Sequence, residues 1–412
     1  MKVLMLYSYY EPEIAASMYL WTNINEALAQ AGHFVEVYTP RPTRGIDGVV
    51  RNEYKKKKIE SFLKGGIVIR RFYLPNEKKG ILSRMFRYIL LNVALLWKGL
   101  VTDTDLIFLY STPPTNGLVA YLLKRLRRVP VVYDIQDMFP ESLIATQMTT
   151  ENSLIYKIGE KVEKITYKGA DHFIVISQDF KERILKKGVP KEKISVIRNW
   201  VDENAVRRIP RNQNRVLKKY GLDENKFYVT YCGNIGFTQN VELILKVAEN
   251  LKYEKDIMFL LFGEGAYKEV ADRCIVEKEL NNVKIFPFQE YEYISDVFSI
   301  GNIGIIASKS GVGGCSVPSK TWSYMSAECA IVASFDEKTE LIEILKEAQC
   351  GYTCVPDDTQ MLEQQILKLY QDREKCEKLG RNGREYIMNC LTREIGTKKY
   401  LEILEKLYMG KE

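Results

Sequence analysis

The sequence predicts an α/β protein made of two doubly wound parallel-sheet domains in tandem. The chain has 412 residues, which is enough for two domains with separate cores. In both halves, short β-branched apolar runs alternate with helical patterns, as in parallel sheets that are covered on both faces. A polar, proline-containing stretch at 201–226 interrupts the alternation once, and we interpret it as a linker.

Seven candidate strands alternate with helices in the first half of the chain. Helical patterns occupy 15–31 and 151–168, among others. The strands are expected at 3–8, 34–40, 67–74, 105–111, 129–135, 172–177 and 194–200. The N-terminal stretch MKVLMLYSYYEPEI predicts the first of these strands rather than a signal peptide, because its apolar run is short and acidic residues follow at once.

The same alternation restarts after the polar stretch. Strands are expected at 227–232, 257–263, 283–288, 303–307, 330–335 and 351–355, and a last helix at 393–408. We therefore expect an N-terminal domain at 1–205, a second domain at 206–390, and a C-terminal helical segment at 391–412 that returns to the first domain. Two such sheets are expected to face a central cleft, because doubly wound sheets bind ligands beyond the carboxyl ends of their strands.

Composition excludes several classes of protein. The net charge of +7 is too small and too dispersed for a nucleic-acid-binding protein, but it suits anionic ligands or an anionic membrane surface. The chain has only two histidines, and none of its eight cysteines forms a Cys-x-x-Cys pair, so a zinc site is not expected. Reduced thiols in a cytoplasmic protein are the simplest interpretation.

Glycine or lysine occurs in four stretches that follow three of the expected strands in the second half, the last two stretches overlapping in one loop. The loops are CGNIGFTQN with Gly233, FGEGAYK with Gly263, ASKSGVGG with Lys309, and GVGGCSVPSK, which ends at Lys320. A glycine loop that leads into a helix N-terminus beside a lysine is typical of a phosphate site. Each loop alone fits an ordinary turn and a surface lysine equally well, and only their convergence favours a nucleoside-diphosphate site.

The chain resembles glycosyltransferase family 4, retaining enzymes of the GT-B fold, over nearly its whole length. The motifs that carry the resemblance are YYEPEIAASMYLWTNINEALAQAGHFVEVYT, VVYDIQDMFPES, FIVISQDFKERILKKGVPKEKISVIRNWVD, YCGNIGFTQNVELIL, FGEGAYKE and VPSKTWSYMSAECAIVAS. The DIQDMFPE and VPSK forms look most like bacterial surface-polysaccharide transferases of the N-acetyl-fucosaminyl type. GT-B denotes two Rossmann-like domains that face a cleft.

The resemblance implies roles for individual residues. Asp137 and Lys320 would be the catalytic residues, and Ala15, Ala16 and Asp137 would lie on the acceptor side. The residues expected to bind the donor and its diphosphate are Gly233, Asn234, Gln239, Gly263, Glu264, Lys309, Gly313, Gly314, Ser319, Lys320 and Ser323. No cofactor and no metal is expected, because protein positive charge would stabilise the leaving diphosphate.

This sequence departs from the family pattern at several positions. Cys315 and Ser323 stand where relatives have two glutamates, the second of which usually holds the ribose hydroxyls. Asn234 and Gln239 replace an Arg and a Lys, and Ala15–Ala16 replace a glycine pair. Glu328 stands where relatives usually have glycine. These departures leave open a weakly active or inactive protein.

Two features have alternative interpretations. Asp137 is expected to position an acceptor hydroxyl or help with its proton, and its alternative is a cap for the segment after Pro140. At ~100° per residue, Arg84, Arg87 and Lys98 share one side of an apolar helix at 80–100. That helix either packs on the sheet or docks on an anionic leaflet with help from Lys55–Lys58.

Taken together, the sequence predicts a retaining glycosyltransferase that is cytoplasmic or peripheral on the inner face of the membrane. It would move a sugar from a nucleoside-diphosphate donor, UDP-linked by expectation, to a lipid-linked or glycan acceptor in capsule, O-antigen or exopolysaccharide synthesis. The alternatives are a non-catalytic GT-B partner subunit and a GT-B UDP-sugar epimerase.

Overall fold

The computed structural model describes residues 1–13, 18–76, 80–145, 149–315 and 317–410. The chain forms two compact units. The first contains Met1–Asn199 and the C-terminal segment from Glu394 onward, and the second contains Trp200–Arg393.

Within the described residues, the first unit is built on an eight-stranded sheet in the order β3-β4-β2-β1-β5-β6-β7-β8. The strands are β1 (Lys2–Leu6), β2 (Phe34–Pro40), β3 (Ile59–Phe62), β4 (Ile67–Phe72), β5 (Leu106–Tyr110), β6 (Val131–Ile135), β7 (His172–Val175) and β8 (Ile194–Val196). All neighbours pair in parallel except β3, which runs antiparallel to β4. The seven predicted strands are confirmed, and β3 is an addition that the sequence did not indicate.

Helices cover both faces of this sheet. They are α1 (Met18–Gln30), α2 (Gly48–Lys56), α3 (Ile81–Val101), α4 (Asn116–Leu126), α5 (Glu141–Ala145), α6 (Leu154–Thr166) and α7 (Gln178–Lys186). The connection through α1 crosses from β1 to β2, whereas those through α3, α4, α6 and α7 cross in the opposite direction along the sheet. Right-handed crossovers therefore place α1 on one face and the other four helices together on the other.

The second unit repeats the plan with a fully parallel sheet of six strands among the described residues, in the order β11-β10-β9-β12-β13-β14. The strands are β9 (Phe227–Cys232), β10 (Ile257–Phe262), β11 (Val283–Phe286), β12 (Ile303–Ala307), β13 (Ala330–Ser334) and β14 (Gly351–Cys354). The helices are α8 (Arg215–Lys219), α9 (Val241–Asn250), α10 (Lys268–Glu277), α11 (Ile294–Ile300), α12 (Lys320–Ser326), α13 (Glu340–Ala348), α14 (Thr359–Gln371) and α15 (Arg373–Cys390). All six predicted strands are confirmed.

The last helix, α16 (Arg393–Met409), packs in the first unit. Its Tyr400 hydroxyl donates to the buried Asp134 carboxylate on β6 at 2.5 Å. His33, at the end of the turn before β2, lies 2.9 Å from Glu405. These contacts tie the end of the chain to the sheet formed by its beginning.

The interpretation of 201–226 as a linker was wrong. Val206, Leu217 and Leu222 are buried in the core of the second unit. Arg215 forms an ion pair with Asp296 at 2.7 Å, which fixes α8 against α11. Most residues of the stretch are polar, which makes it look like a linker in sequence, but several of its few apolar residues are buried.

The cationic side predicted for α3 also differs in the structure. Arg87 is buried and donates to the carbonyl of Pro75 and to Thr43, and Lys98 pairs with Glu36 at 2.6 Å. Lys57 of the lysine run likewise pairs with Glu60 at 3.1 Å. Arg87 and Lys98 therefore face the protein, whereas Arg84 is exposed near the start of α3, and the rest of the stripe that α3 exposes is apolar.

The described helices include none with the length and hydrophobicity needed to cross a bilayer. The seven cysteines whose side chains are described are free thiols. Burial raises the pKa of five of them, which keeps those thiols protonated.

Candidate functional site

The loops that follow β9 and β10 in the second unit meet at two glycines, Gly233 and Gly263. The Gly233 amide, just after β9, donates to the carbonyl of Phe262 at the end of β10 at 2.9 Å. A Cβ atom at Gly263 would lie 1.9 Å from the Gly233 carbonyl oxygen, so no larger residue fits there. Gly233 has a φ of +138°, which side-chain-bearing residues rarely adopt. The predicted glycines thus bring the β9 and β10 exits into contact.

Lys320 reaches the same point from α12. Its Nζ atom lies 3.7 Å from the centroid of the Tyr231 ring on β9, within the range of a cation–π interaction. A Cβ atom at Gly233 would lie 3.2 Å from that Nζ atom, a tighter contact than most side chains make. Gly233 therefore leaves room for the lysine head group.

The Lys320 side chain gains or loses its proton near neutral pH. Burial among protein atoms lowers its pKa to about 7, although the residue as a whole is only half-buried. The neighbouring Cys232 offers no compensating charge, because burial raises the pKa of its thiol to about 12. An anion that arrives beside Lys320 would favour the protonated form and raise its pKa.

Asn234 and Gln239 lie together beside these glycines. The Asn234 amide Nδ2 donates to the Gln239 Oε1 at 3.2 Å, and the Tyr231 hydroxyl donates to the Asn234 carbonyl at 2.6 Å. At Gly265, a Cβ atom would lie 2.7 Å from the Asn234 Oδ1. The structure thus brings together Gly233, Asn234, Gln239, Gly263 and Lys320.

The glycine-rich loop before α12 makes different contacts from those predicted. The amides of Gly311 and Gly313 donate to the two carboxylate oxygens of Asp336, at 2.9 and 2.8 Å. The amide of Gly313, a residue predicted to bind the donor, therefore already donates to Asp336 in this structure. Ser319 is the N-cap residue of α12 and is exposed, but its side chain makes no capping hydrogen bond.

The other described residues predicted to bind the sugar donor include Lys309, Glu264, Gly314 and Ser323. The Lys309 amide donates to the Thr238 carbonyl at 3.0 Å, which joins the β12 exit to the loop after β9. The Glu264 carbonyl accepts from Ile235 at 2.8 Å, and its carboxylate lies 3.5 Å from Lys268. Gly314 and Ser323 are half-buried.

On the acceptor side, Asp137 follows β6 in the first unit. It borders a pocket of about 30 Å³, large enough for about one water molecule, together with Glu163, Tyr133 and Tyr167. The residue is exposed, yet crowding by surrounding protein raises the pKa of its carboxyl above the usual value. Ala15 and Ala16 lie outside the described residues.

Two neighbours of Asp137, Asp134 and Glu141, make contacts that stabilise the fold. Asp134 accepts from Tyr400 and from the Gln136 amide at 2.5 Å each, and burial raises its pKa to about 7. Glu141 pairs with Lys187 at 2.8 Å.

Glu328 occupies a position that favours glycine. Its φ is +58°, in the left-handed region, where the chain turns from α12 into β13. This backbone conformation accounts for the glycine that relatives usually carry there.

Tyr231 is the site residue that sequence reasoning missed. A tyrosine two residues before a glycine exit looks like any buried strand residue, so the pattern alone offers no signal. No group of three or more His, Cys, Asp or Glu side chains within the described ranges is placed to hold a metal ion.

Profiles of known families match both halves of the chain. The profile of Glycosyltransferase Family 4 matches residues 20–205, and that of Glycosyl transferases group 1 matches residues 212–386. The two glycosyltransferase domain profiles together match most of the chain. The glycine exits, Tyr231 and Lys320 all belong to the group 1 domain, and Asp137 belongs to the family 4 domain.

Individual relatives are distant and cover much of the chain. The probable glycosyltransferase WbjE of Pseudomonas aeruginosa is 25% identical over 70% of this chain and 72% of its own length. The putative colanic acid biosynthesis glycosyl transferase WcaI of Escherichia coli is 22% identical over 58% of this chain and 59% of its own length.

The fold is shared with solved glycosyltransferase structures. Anabaena HepE, crystallised in complex with UDP, superposes with a TM-score of 0.74 at 15% identity and covers 98% of this chain and 100% of its own. The predicted GT-B architecture, two Rossmann-like parallel-sheet domains, is thereby confirmed.

Proposed function

We propose that this glycosyltransferase moves a sugar from a nucleoside-diphosphate donor that binds at the rim formed by Gly233, Gly263 and Lys320. The observation that carries the proposal is the Lys320 ammonium, held on the Tyr231 ring beside two strand exits that only glycine fits. A cation at this rim suits a diphosphate, because its positive charge attracts the phosphate oxygens and the two glycines carry no side chains that would block their approach.

We infer that the donor is UDP-linked. HepE, which shares the fold, was crystallised with UDP. The nucleoside contacts of this chain must differ from those of its relatives, since Ser323 cannot hold ribose hydroxyls as a glutamate would.

The proposed chemistry is transfer with retention at the anomeric carbon. The bond between that carbon and the diphosphate oxygen breaks while the acceptor oxygen bonds to the same face of the sugar, and the proton of the acceptor hydroxyl passes to the departing diphosphate. Lys320 then counters the charge that develops on the leaving diphosphate, which is stronger stabilisation in the transition state than in the bound donor. Asp137 accepts a hydrogen bond from the acceptor hydroxyl and orients it.

For the acceptor we propose a lipid-linked or glycan chain in surface-polysaccharide assembly, at the cytoplasmic face of the membrane. The name of WcaI places that relative in colanic acid biosynthesis. The DIQDMFPE and VPSK motifs make an N-acetyl-fucosaminyl-type reaction the first one to test.

A second candidate is a non-catalytic partner subunit that has kept the fold. The observation that favours it is the pair of residues Cys315 and Ser323, where relatives carry carboxylates. A UDP-sugar epimerase is disfavoured, since that chemistry uses several titratable groups and the chain has two histidines.

A panel of nucleotide sugars separates these candidates. The full-length protein is incubated with each sugar, and release of the free nucleoside diphosphate and formation of epimeric product are measured. We expect slow, donor-specific release of the nucleoside diphosphate. Epimerised sugar nucleotide would support the epimerase, and binding without any reaction would support the partner subunit.

A further inference from the structure

The outer surface of the first unit carries an apolar stripe along α3. Met85, Ile89, Val93, Trp97 and Val101 recur at intervals of four residues, and Phe86 lies beside them. All are exposed, and Trp97 keeps 65% of its surface accessible in the whole chain. On the opposite side of the helix, Arg87, Leu91 and Leu95 are buried. Exposed apolar side chains of this number on one helix require a partner.

The stripe continues onto the neighbouring helices of the same layer. A Cβ atom at Gly99 of α3 would lie 2.7 Å from Leu123 of α4, and one at Gly117 of α4 would lie 1.9 Å from Thr166 of α6. The three helices therefore pack side by side. Leu126 of α4 and Leu154, Ile155 and Ile158 of α6 are exposed on the outside of that layer. We call the exposed side of α3, α4 and α6 the helical face.

Charge on the helical face is mostly positive, although Glu160 of α6 is an exposed acid. The sequences of α3 and α4 contain no aspartate or glutamate. On α6, Lys157, Lys161 and Lys164 recur along one line and continue to Lys168 just beyond the helix, all exposed. At ~100° per residue this line of lysines runs beside the line of Leu154 and Ile158. Apolar residues with a flanking row of lysines are the pattern of a helix that lies in a membrane interface.

We propose that the helical face docks the protein on an anionic lipid bilayer. Apolar side chains of α3 and α6 enter the boundary between headgroups and acyl chains, and the lysines of α6 contact lipid phosphates. A broad layer of three helices with positive charge and few acids matches a planar anionic surface, whereas the core of a protein interface is depleted in charge. This inference stands apart from the sugar transfer proposed above, because docking can be measured without turnover.

The four tryptophans of the chain allow a direct observation. Trp21, Trp200 and Trp322 are buried, with at most 2% of their surface accessible, and only Trp97 is exposed. Mixing the full-length protein with phosphatidylcholine vesicles that contain phosphatidylglycerol should therefore shift tryptophan emission to shorter wavelength. The variant Trp97→Phe should still sediment with the vesicles and lose the shift. A shift that persists in Trp97→Phe, or no sedimentation of the wild type, would overturn the proposal.

Matched valine substitutions locate the docking surface. Val93→Asp on α3 should weaken vesicle binding on the order of 10-fold or more, because one valine side chain no longer enters the bilayer and a charge takes its place. Val276→Asp makes the same change on an exposed helix of the second unit and should leave binding unchanged. Ile158→Asp tests α6 independently, and circular dichroism checks that each variant is folded.

The remaining outcomes discriminate between partners. High salt should release only part of the protein, since it screens the lysines and leaves the apolar contacts intact. Equal binding to vesicles without phosphatidylglycerol would contradict the role of charge. If the wild type ignores vesicles and instead forms a dimer that Val93→Asp dissociates, as measured by sedimentation, the helical face binds a second copy of the chain and the proposal is wrong.

Discussion

At the scale of single residues, the proposed chemistry depends on one lysine. Lys320→Ala should lower kcat on the order of 10²–10³-fold, comparable to the loss of one preorganised oxyanion donor. Donor binding should survive in part, because the strand exits remain. Ser323→Ala, on the same helix, should have a much smaller effect. Steady-state kinetics on folded variants distinguish the outcomes, and a raised KM with unchanged kcat would restrict Lys320 to binding.

Tyr231 positions that lysine, and its ring and its hydroxyl can be tested separately. Tyr231→Phe keeps the ring under the ammonium and removes the 2.6 Å hydrogen bond to the Asn234 carbonyl. Tyr231→Leu removes both. We expect Tyr231→Leu to change the pH–rate profile, because the environment of the Lys320 ammonium changes. Tyr231→Phe should keep the wild-type profile. Identical profiles for both variants would show that the ring does not act through Lys320.

The residue scale is also where the sequence predicted least. Glycines at the strand exits and Lys320 were recognisable because their types match a diphosphate site. Tyr231 was not, since only the register of β9 against α12 brings its ring under Lys320. The Asp336 carboxylate accepts from the Gly313 amide although the two residues are 23 positions apart in sequence. Contacts over such separations leave no local pattern.

At the scale of secondary-structure elements, α16 is fixed to β6 by a buried acid. Burial raises the pKa of Asp134 to about 7, above the value of 3.8 that applies to the unfolded chain. Folding therefore takes up a proton between these pKa values, and the stability that this group contributes is lost as pH rises through about 7. The wild type should lose unfolding free energy between about pH 4 and 7, the range that the two pKa values bracket.

The variant Asp134→Asn should lose less stability over the same pH range, because its side chain does not ionise. Urea unfolding of wild type and variant at several pH values measures the difference. Asp272→Asn on the exposed side of α10 controls for the change in net charge. Parallel stability curves for the wild type and Asp134→Asn would contradict the assignment.

The elements themselves were largely predictable. Runs such as VVYDI and IGIIA are short, apolar and flanked by turns, so the strands follow from composition alone. The antiparallel β3 was missed because IESF is short and half polar. The segment 201–226 was taken for a linker because its buried apolar residues are separated by charged ones. In α3, apolar residues nearly surround the helix, and only packing decides which of them stay exposed.

At the scale of the whole molecule, the candidate residues are distributed over two units with separate cores. The family 4 domain carries Asp137 and the helical face, and the group 1 domain carries Lys320 and the glycine exits. The fold class could be predicted because it follows from an alternation repeated over the entire chain. The identity of the sugar could not, since it depends on the shape and hydrogen bonds of a pocket that no short motif specifies.

The central claim is that a nucleoside diphosphate binds beside Lys320, and calorimetry of the full-length protein with UDP tests it most directly. At about pH 8, above the free-site pKa of about 7, Lys320 is mostly neutral, and a bound diphosphate should return its proton. Titrations in buffers of different ionisation enthalpy should reveal uptake of up to one proton by the wild type. Lys320→Met should bind UDP more weakly without that uptake. Equal affinity and equal proton uptake in both proteins would contradict the account and place the diphosphate elsewhere.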